Sequence, residues 1–371
     1  MRILQVSSAR TFGGGERHLV DLCRGLTKRG HEIFIALRPT NEWQHRFDFL
    51  PNENFLHVSL RNSFGVMSAQ KIAEFIKENK IEIVHAHLGR DYIPSSLACR
   101  IAGNAKFVLT RHVLFPMKPF QRLALSNLSK AIAVSRAVEE NLCKVFQKEK
   151  VVMISNGIAV ANWAKTDYEK LRHEFRLLHD IPFDADLIGT IGELKILKGQ
   201  RDFVLAAHET AKKYPNSYFV IVGRDNSFKK EFRRELKRLV KVFNLENRFL
   251  FLDWVEETAS LMAALDVFVS ASHSESFGLA ILEAMISGKA IVASETDGAK
   301  ELLEDNLSGK LVPVYEPAKL AEAIGELLEN KNLQMILGTN ARKIATDKFS
   351  IEKMIDETES IYKELLNKRN R

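Results

Sequence analysis

The stretch Glu275-Ser-Phe-Gly-Leu-Ala-Ile-Leu-Glu283 decides how this chain is read. Two carboxylates bracket seven residues. The run Asp266-Val-Phe-Val-Ser-Ala-Ser before it reads as a buried parallel strand. After it, the apolar spacing of Leu279, Ile281, Leu282 and Met285 predicts a helix. Glu275 then falls in a strand-to-helix loop, and Glu283 about two turns into the helix. The first N–H groups of a helix have no internal partners and bind anions. Carboxylates accept from hydroxyls. Phosphate donors beside hydroxyl acceptors suit a sugar nucleotide.

Outward from this stretch, strand-like and helix-like segments alternate. Ile3–Ser7, Glu32–Ala36, Ile81–His85, Phe107–Thr110, Ala131–Val134 and Val151–Ile154 read as buried strands, separated by helical patterns such as Gly15–Lys28, Ala69–Asn79 and Arg136–Phe146. A second series follows at Leu187–Gly192, Tyr218–Val222, Phe249–Leu252, Val267–Ser270, Ala290–Ala293 and Lys310–Val312. Alternation with apolar, β-branched strands predicts parallel sheets covered by helices. The fold class is therefore α/β, with two Rossmann-like, doubly wound domains. The expected division is 1–160, 161–349 and a terminal amphipathic helix within 350–371 that starts at Ser350 as N-cap. The join, residues 156–184, reads as polar and irregular. Ligands of doubly wound sheets bind beyond the carboxyl ends of the strands, so the expected site is a cleft between the two domains.

Composition narrows the function. The chain has 371 residues, of which 46% are hydrophobic, enough for two cores. Three cysteines without paired spacing fit a reduced, cytoplasmic protein. The opening Met1-Arg-Ile-Leu-Gln-Val-Ser-Ser reads as a first strand rather than a leader, and no apolar run is long enough to span a bilayer. The net charge of +7 is uneven: residues 1–160 carry 23 Lys and Arg against 13 Asp and Glu, residues 161–371 carry 31 against 34. A basic first half points to an anionic surface or acceptor, with solubilising charge as the alternative. Nucleic acid is not expected, because no recognition motif stands beside the charge. The basic–apolar stretch Pro116–Leu125 could rest on a membrane surface. The basic helix beginning at Phe228 reads as a solvated face, with Glu231 and Glu235 paired to cations of the same helix.

Further residues carry chemistry. Gly13-Gly-Gly-Glu16 follows the first strand and lets backbone N–H groups approach an anion. It does not match Gly-x-Gly-x-x-Gly, which argues against a nicotinamide dinucleotide. His112 lies just past a strand, as does His87; His85 reads as core. Gly192-Glu-Leu-Lys-Ile-Leu-Lys-Gly199 lies between a strand and the helix Gln200–Lys213. Asp184-Ala-Asp186 sits in a polar turn and reads as chance. No His, Cys or carboxylate cluster has metal-ligand spacing, so no metal is expected.

In this order and spacing, the motifs resemble the retaining glycosyltransferases of family 4 (glycosyltransferase group 1), which have the GT-B fold. Glu275 and Glu283 match that family's Glu-x7-Glu. Lys198 and Gly199 match its Gly-Arg-Leu-x3-Lys-Gly, with Glu193 in place of the arginine. Asn156-Gly-Ile matches an interdomain turn whose aspartate is Ala159 here, and Glu301 matches a structural glutamate. The resemblance implies a terminal helix that crosses back onto the first domain. It implies His112, Lys198 and Glu275 as catalytic residues. Donor binding falls to Gly14, Gly15, Glu193, Lys198, Glu275, Phe277, Gly278, Leu279 and Glu283, and the acceptor side to Glu16, Arg17 and His87. The implied reaction moves a sugar from a nucleoside-diphosphate sugar, UDP-linked by preference and GDP- or ADP-linked as alternatives, to a hydroxyl of a glycan or lipid-linked acceptor. It needs no cofactor and takes place in the cytoplasm or at the inner face of a membrane, as in lipopolysaccharide assembly. The alternatives are a sugar-nucleotide epimerase or hydrolase, and a degenerate protein that binds without turnover.

Overall fold

The structure, a computed structural model, describes residues 1–60 and 65–367. It contains two wholly parallel sheets. The first comprises β1 (Arg2–Ser7), β2 (Glu32–Leu37), β3 (Phe55–His57), β4 (Ile83–Ala86), β5 (Lys106–Arg111), β6 (Leu128–Ala133) and β7 (Val151–Met153), in the order β3-β2-β1-β4-β5-β6-β7. The second comprises β8 (Asp186–Ile191), β9 (Ser217–Val222), β10 (Phe249–Leu252), β11 (Val267–Ser270), β12 (Ala290–Ser294) and β13 (Lys310–Val312), in the order β10-β9-β8-β11-β12-β13. Central strands are buried along both faces: Ile3, Leu4 and Ile83 in one sheet, and Phe268, Ile291 and Val292 in the other, are fully enclosed. That is why they read as continuous apolar runs rather than alternating ones.

Each sheet reverses its winding once, between β1 and β4 and between β8 and β11. Loops leaving the carboxyl ends of these strands diverge and leave room for a ligand. The segments after β1, β4, β8 and β11 carry most of the residues singled out in the sequence.

Several expectations need correction. The strand Phe55–His57 was not anticipated; three residues give no periodicity, and it forms only by pairing with β2 at the sheet edge. The join is not irregular. It contains the helices Val160–Ala164 and Tyr168–Leu178, the second capped by Asp167, whose side chain accepts from Lys170 N. Arg176 on this helix is fully buried and donates to the carbonyls of Pro182, Ala185 and Ala264 and to the Asp266 carboxylate. A buried guanidinium with five donors needs that many acceptors, and it pins the join to β11. On the basic helix Glu231–Val242, Glu235 pairs not within the helix but with Arg201 of the neighbouring helix Gln200–Lys213. The last helix begins at Ile351, which leaves Ser350 at the N-cap position expected of it; Ser350 also forms a parallel bridge with Ile158.

The chain divides into two compact units. The first is Met1–Gly157 with the segment from Ile351 onward, and the second is Ile158–Ser350. Within the first unit the helix Ile351–Asn367 lies on the helix Gly14–Lys28. Gly25 lets the two helices cross closely: a Cβ there would sit 2.1 Å from Ile355 Cδ1, so the Ile355 side chain would have to move. Arg29 pairs with Asp356 at 2.7 Å and Glu359 at 3.0 Å, and His31 meets Glu359 at 2.8 Å. Tyr362 is fully buried; its hydroxyl accepts from Gln5 Nε2 at 3.3 Å and lies 2.5 Å from His85 Nδ1.

Tyr362→Phe keeps the ring but leaves Gln5 and His85 each short of a buried partner. It should destabilise the first unit by about 1–3 kcal/mol, read as a lower urea midpoint. An unchanged midpoint would refute the role given to the hydroxyl.

Candidate functional site

In the second unit, the loop after β8 runs from Gly192 to Gly199. Leu194 N bonds to Arg224 O at 2.9 Å, and Ile196–Lys198 form one 3-10 turn. Gly199 has φ +65°, and a Cβ there would lie 1.8 Å from the Ala271 carbonyl oxygen. Only glycine allows this left-handed turn and so close a backbone approach. His273 N donates to Leu197 O at 2.9 Å, and His273 Nε2 meets Asp202 at 2.8 Å. These contacts fasten the loop after β8 to the loop after β11. They bring Lys198 Nζ into an ion pair with Glu275, both side chains being largely buried.

The loop after β11 is built with equal economy of space. Gly278, at φ +100°, turns the chain into the helix Leu279–Ile286. Gly298 N donates to Glu275 O at 2.9 Å, and a Cβ on Gly298 would fall within 2.7–2.8 Å of the Phe277 backbone. Phe277 is buried, with its ring edge-on to Phe349. The helix begins at Leu279, so Glu283, its fifth residue, lies just over one turn in rather than two. Glu283 is 5% exposed, and Thr258 Oγ1 donates to it at 3.0 Å. A solvated glutamate on an amphipathic helix is thereby excluded.

Glu193 does not hold Lys198. Its carboxylate meets Lys195 Nζ at 2.5 Å and Asn226 Nδ2 at 3.1 Å. Burial opposes its ionisation, but the bonds from Lys195 and Asn226 and the Lys198 charge prevail and hold its pKa below the usual range. Lys195 is paired with Glu193. Asp186 pairs with Lys331 at 2.7 Å at the start of β8, a structural contact.

In the first unit, Ser8 donates from its backbone and hydroxyl to Asp91, which is fully buried. Burial pushes this carboxyl up to about 7 despite both bonds. Gly13 is extended and the helix begins at Gly14. Gly13 and Gly14 are exposed, Glu16 and Arg17 half-buried. Gly15 faces His112, where a Cβ would lie 3.8 Å from the ring.

His112 is not a lone histidine. His18, on the first helix, and His87, just past β4, adjoin it, with ring centroids 4.9 and 5.8 Å away. His85 is fully buried, its ring 4.3 Å from that of His87. His87 is buried as well, its Nε2 2.8 Å from Gln5 Oε1. Burial lowers all four pKa values, that of His18 to about 4 and that of His85 to about 3. The Asn156 side chain partly offsets this for His18, while neighbouring imidazoles add to the lowering for the other three. All four are neutral at pH 7. The sequence reading missed this cluster, and with it Gln5 and Tyr362 as partners, as it missed Thr258 as the partner of Glu283. The residues stand on elements far apart in the chain, so no spacing reveals them.

Parallel doubly wound sheets with polar loops at each reversal point define the class: this is the GT-B fold of glycosyltransferases. HepE from Anabaena, solved in complex with UDP-glucose, is similar at a TM-score of 0.85 and 25% identity, covering 97% of this chain and 99% of that one. The lipopolysaccharide core biosynthesis glycosyltransferase LpsE of Rhizobium meliloti is 24% identical over 93% of this chain and 94% of its own length. The N-acetyl-alpha-D-glucosaminyl L-malate synthase of Bacillus anthracis is 25% identical over 96% and 95%. Residues 12–162 match the model of Glycosyltransferase Family 4, and residues 173–344 that of Glycosyl transferases group 1. The chain belongs to this family, the group 1 glycosyltransferases of family 4.

The buried histidines give an acid-stability prediction. Each is neutral when folded and takes up a proton near pH 6.5 when unfolded, so stability falls as pH drops below 6.5 and levels off only at the folded pKa, about 4 for His18. His18→Asn should reduce this slope by about 1.4 kcal/mol per pH unit. Urea midpoints at pH 7, 5.5 and 4.5 measure it; parallel slopes for variant and wild type would contradict the assignment.

Proposed function

We propose that the protein is a retaining transferase that moves a hexosyl or heptosyl group from a nucleoside-diphosphate sugar, UDP-linked by preference, to a hydroxyl of a glycan or lipid-linked acceptor. The observation that carries this is the pairing of Lys198 with Glu275 beside the buried Glu283, on loops fixed by Gly199 and Gly278. In this reading Glu283 accepts from the ribose hydroxyls and Glu275 from those of the sugar. Donor phosphate takes Lys198 as its counter-ion, with N–H groups at the start of the Leu279–Ile286 helix adding fixed dipoles. The anomeric C–O bond to phosphate breaks, the acceptor oxygen bonds to the same face of that carbon, and the acceptor proton passes to a phosphate oxygen. The diphosphate charge is carried by Lys198 and amides, without a metal. His112 serves as a neutral imidazole at the sugar, and Glu16, Arg17 and His87 belong to the acceptor side. HepE, whose structure holds UDP-glucose, supports the base preference.

Glu193 favours one rival reading, a protein that binds donor without turnover, because the arginine that would help neutralise the diphosphate is absent. Thermal shifts against UDP-, GDP- and ADP-sugars, followed by transfer assays, separate the two. A UDP-sugar should raise the melting temperature of the wild type and not of Glu283→Ala. Lys198→Ala should lower kcat/KM by the equivalent of about 2–4 kcal/mol. Binding without detectable transfer, with transfer appearing in Glu193→Arg, would establish the rival reading.

The acceptor side also bears on location. Around the helix Pro119–Ala124, Val113, Phe115, Phe120 and Leu123 are exposed, Leu123 to 81%, beside the exposed cations Lys118 and Arg122. No helix among the described residues is long and apolar enough to cross a membrane. Apolar side chains flanked by cations suit the surface of an anionic bilayer at the cytoplasmic face. The wild type should sediment with phosphatidylglycerol vesicles and not with neutral ones, and Phe115→Ser/Leu123→Ser should abolish this. Equal sedimentation of variant and wild type would remove the membrane from the proposal.

A further inference from the structure

We propose that His18, His87 and His112 form a binding site for one first-row divalent ion of the zinc class, held by one ring nitrogen from each imidazole. The three ligand atoms lie within 4.8 Å of one another. One pair already stands at the spacing such an ion requires, and His18 must draw in toward it. Two nitrogens bound tetrahedrally at 2.0–2.1 Å are about 3.4 Å apart, and His87 Nδ1 and His112 Nε2 stand 3.5 Å apart. A neutral hydrogen bond would ordinarily be shorter, near 2.9–3.0 Å.

The hydrogen-bond chain behind the cluster fixes which atoms are available. Gln5 Nε2 donates to the Tyr362 hydroxyl, whose proton must go to His85 Nδ1. His85 Nε2 then donates to Thr110 Oγ1 at 2.7 Å. The other end of Gln5, its carbonyl oxygen, accepts from His87 Nε2. His87 is thereby held in one tautomer, with the Nδ1 lone pair turned to the cluster. An amide or carboxylate behind a histidine is how metal-binding imidazoles are oriented.

His18 supplies the independent observation. It is 6% exposed, and neither ring nitrogen forms a hydrogen bond of good geometry; the Asn156 side chain beside it interacts only weakly, and its Oδ1 makes no well-formed bond either. Buried polar groups are rarely left so without a ligand to account for them. The imidazoles are neutral, as metal binding requires. Three nitrogens without a carboxylate favour zinc, cobalt or nickel over magnesium or calcium. Three protein ligands leave a fourth tetrahedral position for water or an anion. On binding, His112 keeps its proton on Nδ1 and offers Nε2. The site lies wholly in the first unit; when occupied it takes His112 from the sugar and His87 from the acceptor side, so the proposed transfer belongs to the metal-free protein.

Tag-free protein, stripped with a chelator, is titrated with Co2+ alone and followed by visible absorption. One equivalent should bind with the intense bands of a tetrahedral ion, and Zn2+ should displace it. His112→Ala, at the half-buried position and least disruptive to folding, should abolish the bands, as should His18→Asn. Gln5→Leu, which removes only the orienting bond, should weaken uptake by about 10–100-fold. Circular dichroism in metal-free buffer shows whether each variant is folded. Absence of saturable uptake, or uptake undiminished in folded His112→Ala, overturns the proposal.

Discussion

The backbone of Gly199 passing against the Ala271 carbonyl is the contact on which the second unit's chemistry depends. It is a constraint of volume: no side chain fits, and the left-handed turn it requires is strained for any residue but glycine. With that contact made, the loops after β8 and β11 become one surface, and the Lys198–Glu275 pair follows from it. The same logic recurs at Gly298, where the Phe277 backbone occupies the space of a Cβ. Glycines here do not lend flexibility. They let backbones touch, and the touching fixes where charged side chains end.

The first unit is organised differently. Its reversal point is filled by a buried polar chain from Thr110 through His85, Tyr362 and Gln5 to His87. Each member is satisfied by the next, so the low dielectric that would penalise a lone group instead strengthens the chain. The Glu275–Lys198 pair keeps opposite charges together, while the histidine cluster gathers neutral imidazoles. One unit is suited to meet an anion and the other to present neutral donors and acceptors.

Much of this was legible in the sequence. Parallel strands buried on both faces announce themselves as apolar runs, and β10, β11 and β13 fall where the runs predict. Glu275, Glu283, Lys198 and Gly199 could be placed on loops and helix starts because strand-to-helix junctions leave a local signature. What stayed hidden depends on distance in the chain. The partners of Glu193 and Glu235 are set by which element packs beside them. The histidine cluster draws on residues 18, 87 and 112, and Tyr362 reaches it from the far end. The short strand Phe55–His57 exists only because β2 offers an open edge. The helix Tyr168–Leu178 was masked by its charges and by exposed Leu177 and Leu178, although Asp167 marks its start.

The helix Ile351–Asn367 belongs to the first unit but follows the second in the chain. On the ribosome, the 157 residues that open the chain therefore emerge without the tyrosine that completes their interior. Gln5 and His85 must wait, hydrated or mispaired, while Ile158–Ser350 is made. That segment is continuous, and its entry and exit are clasped together where Ile158 pairs with Phe349 and Ser350. It can close on itself as soon as it leaves the exit tunnel. The half begun first therefore receives its last buried side chain only once the chain has been made as far as Tyr362.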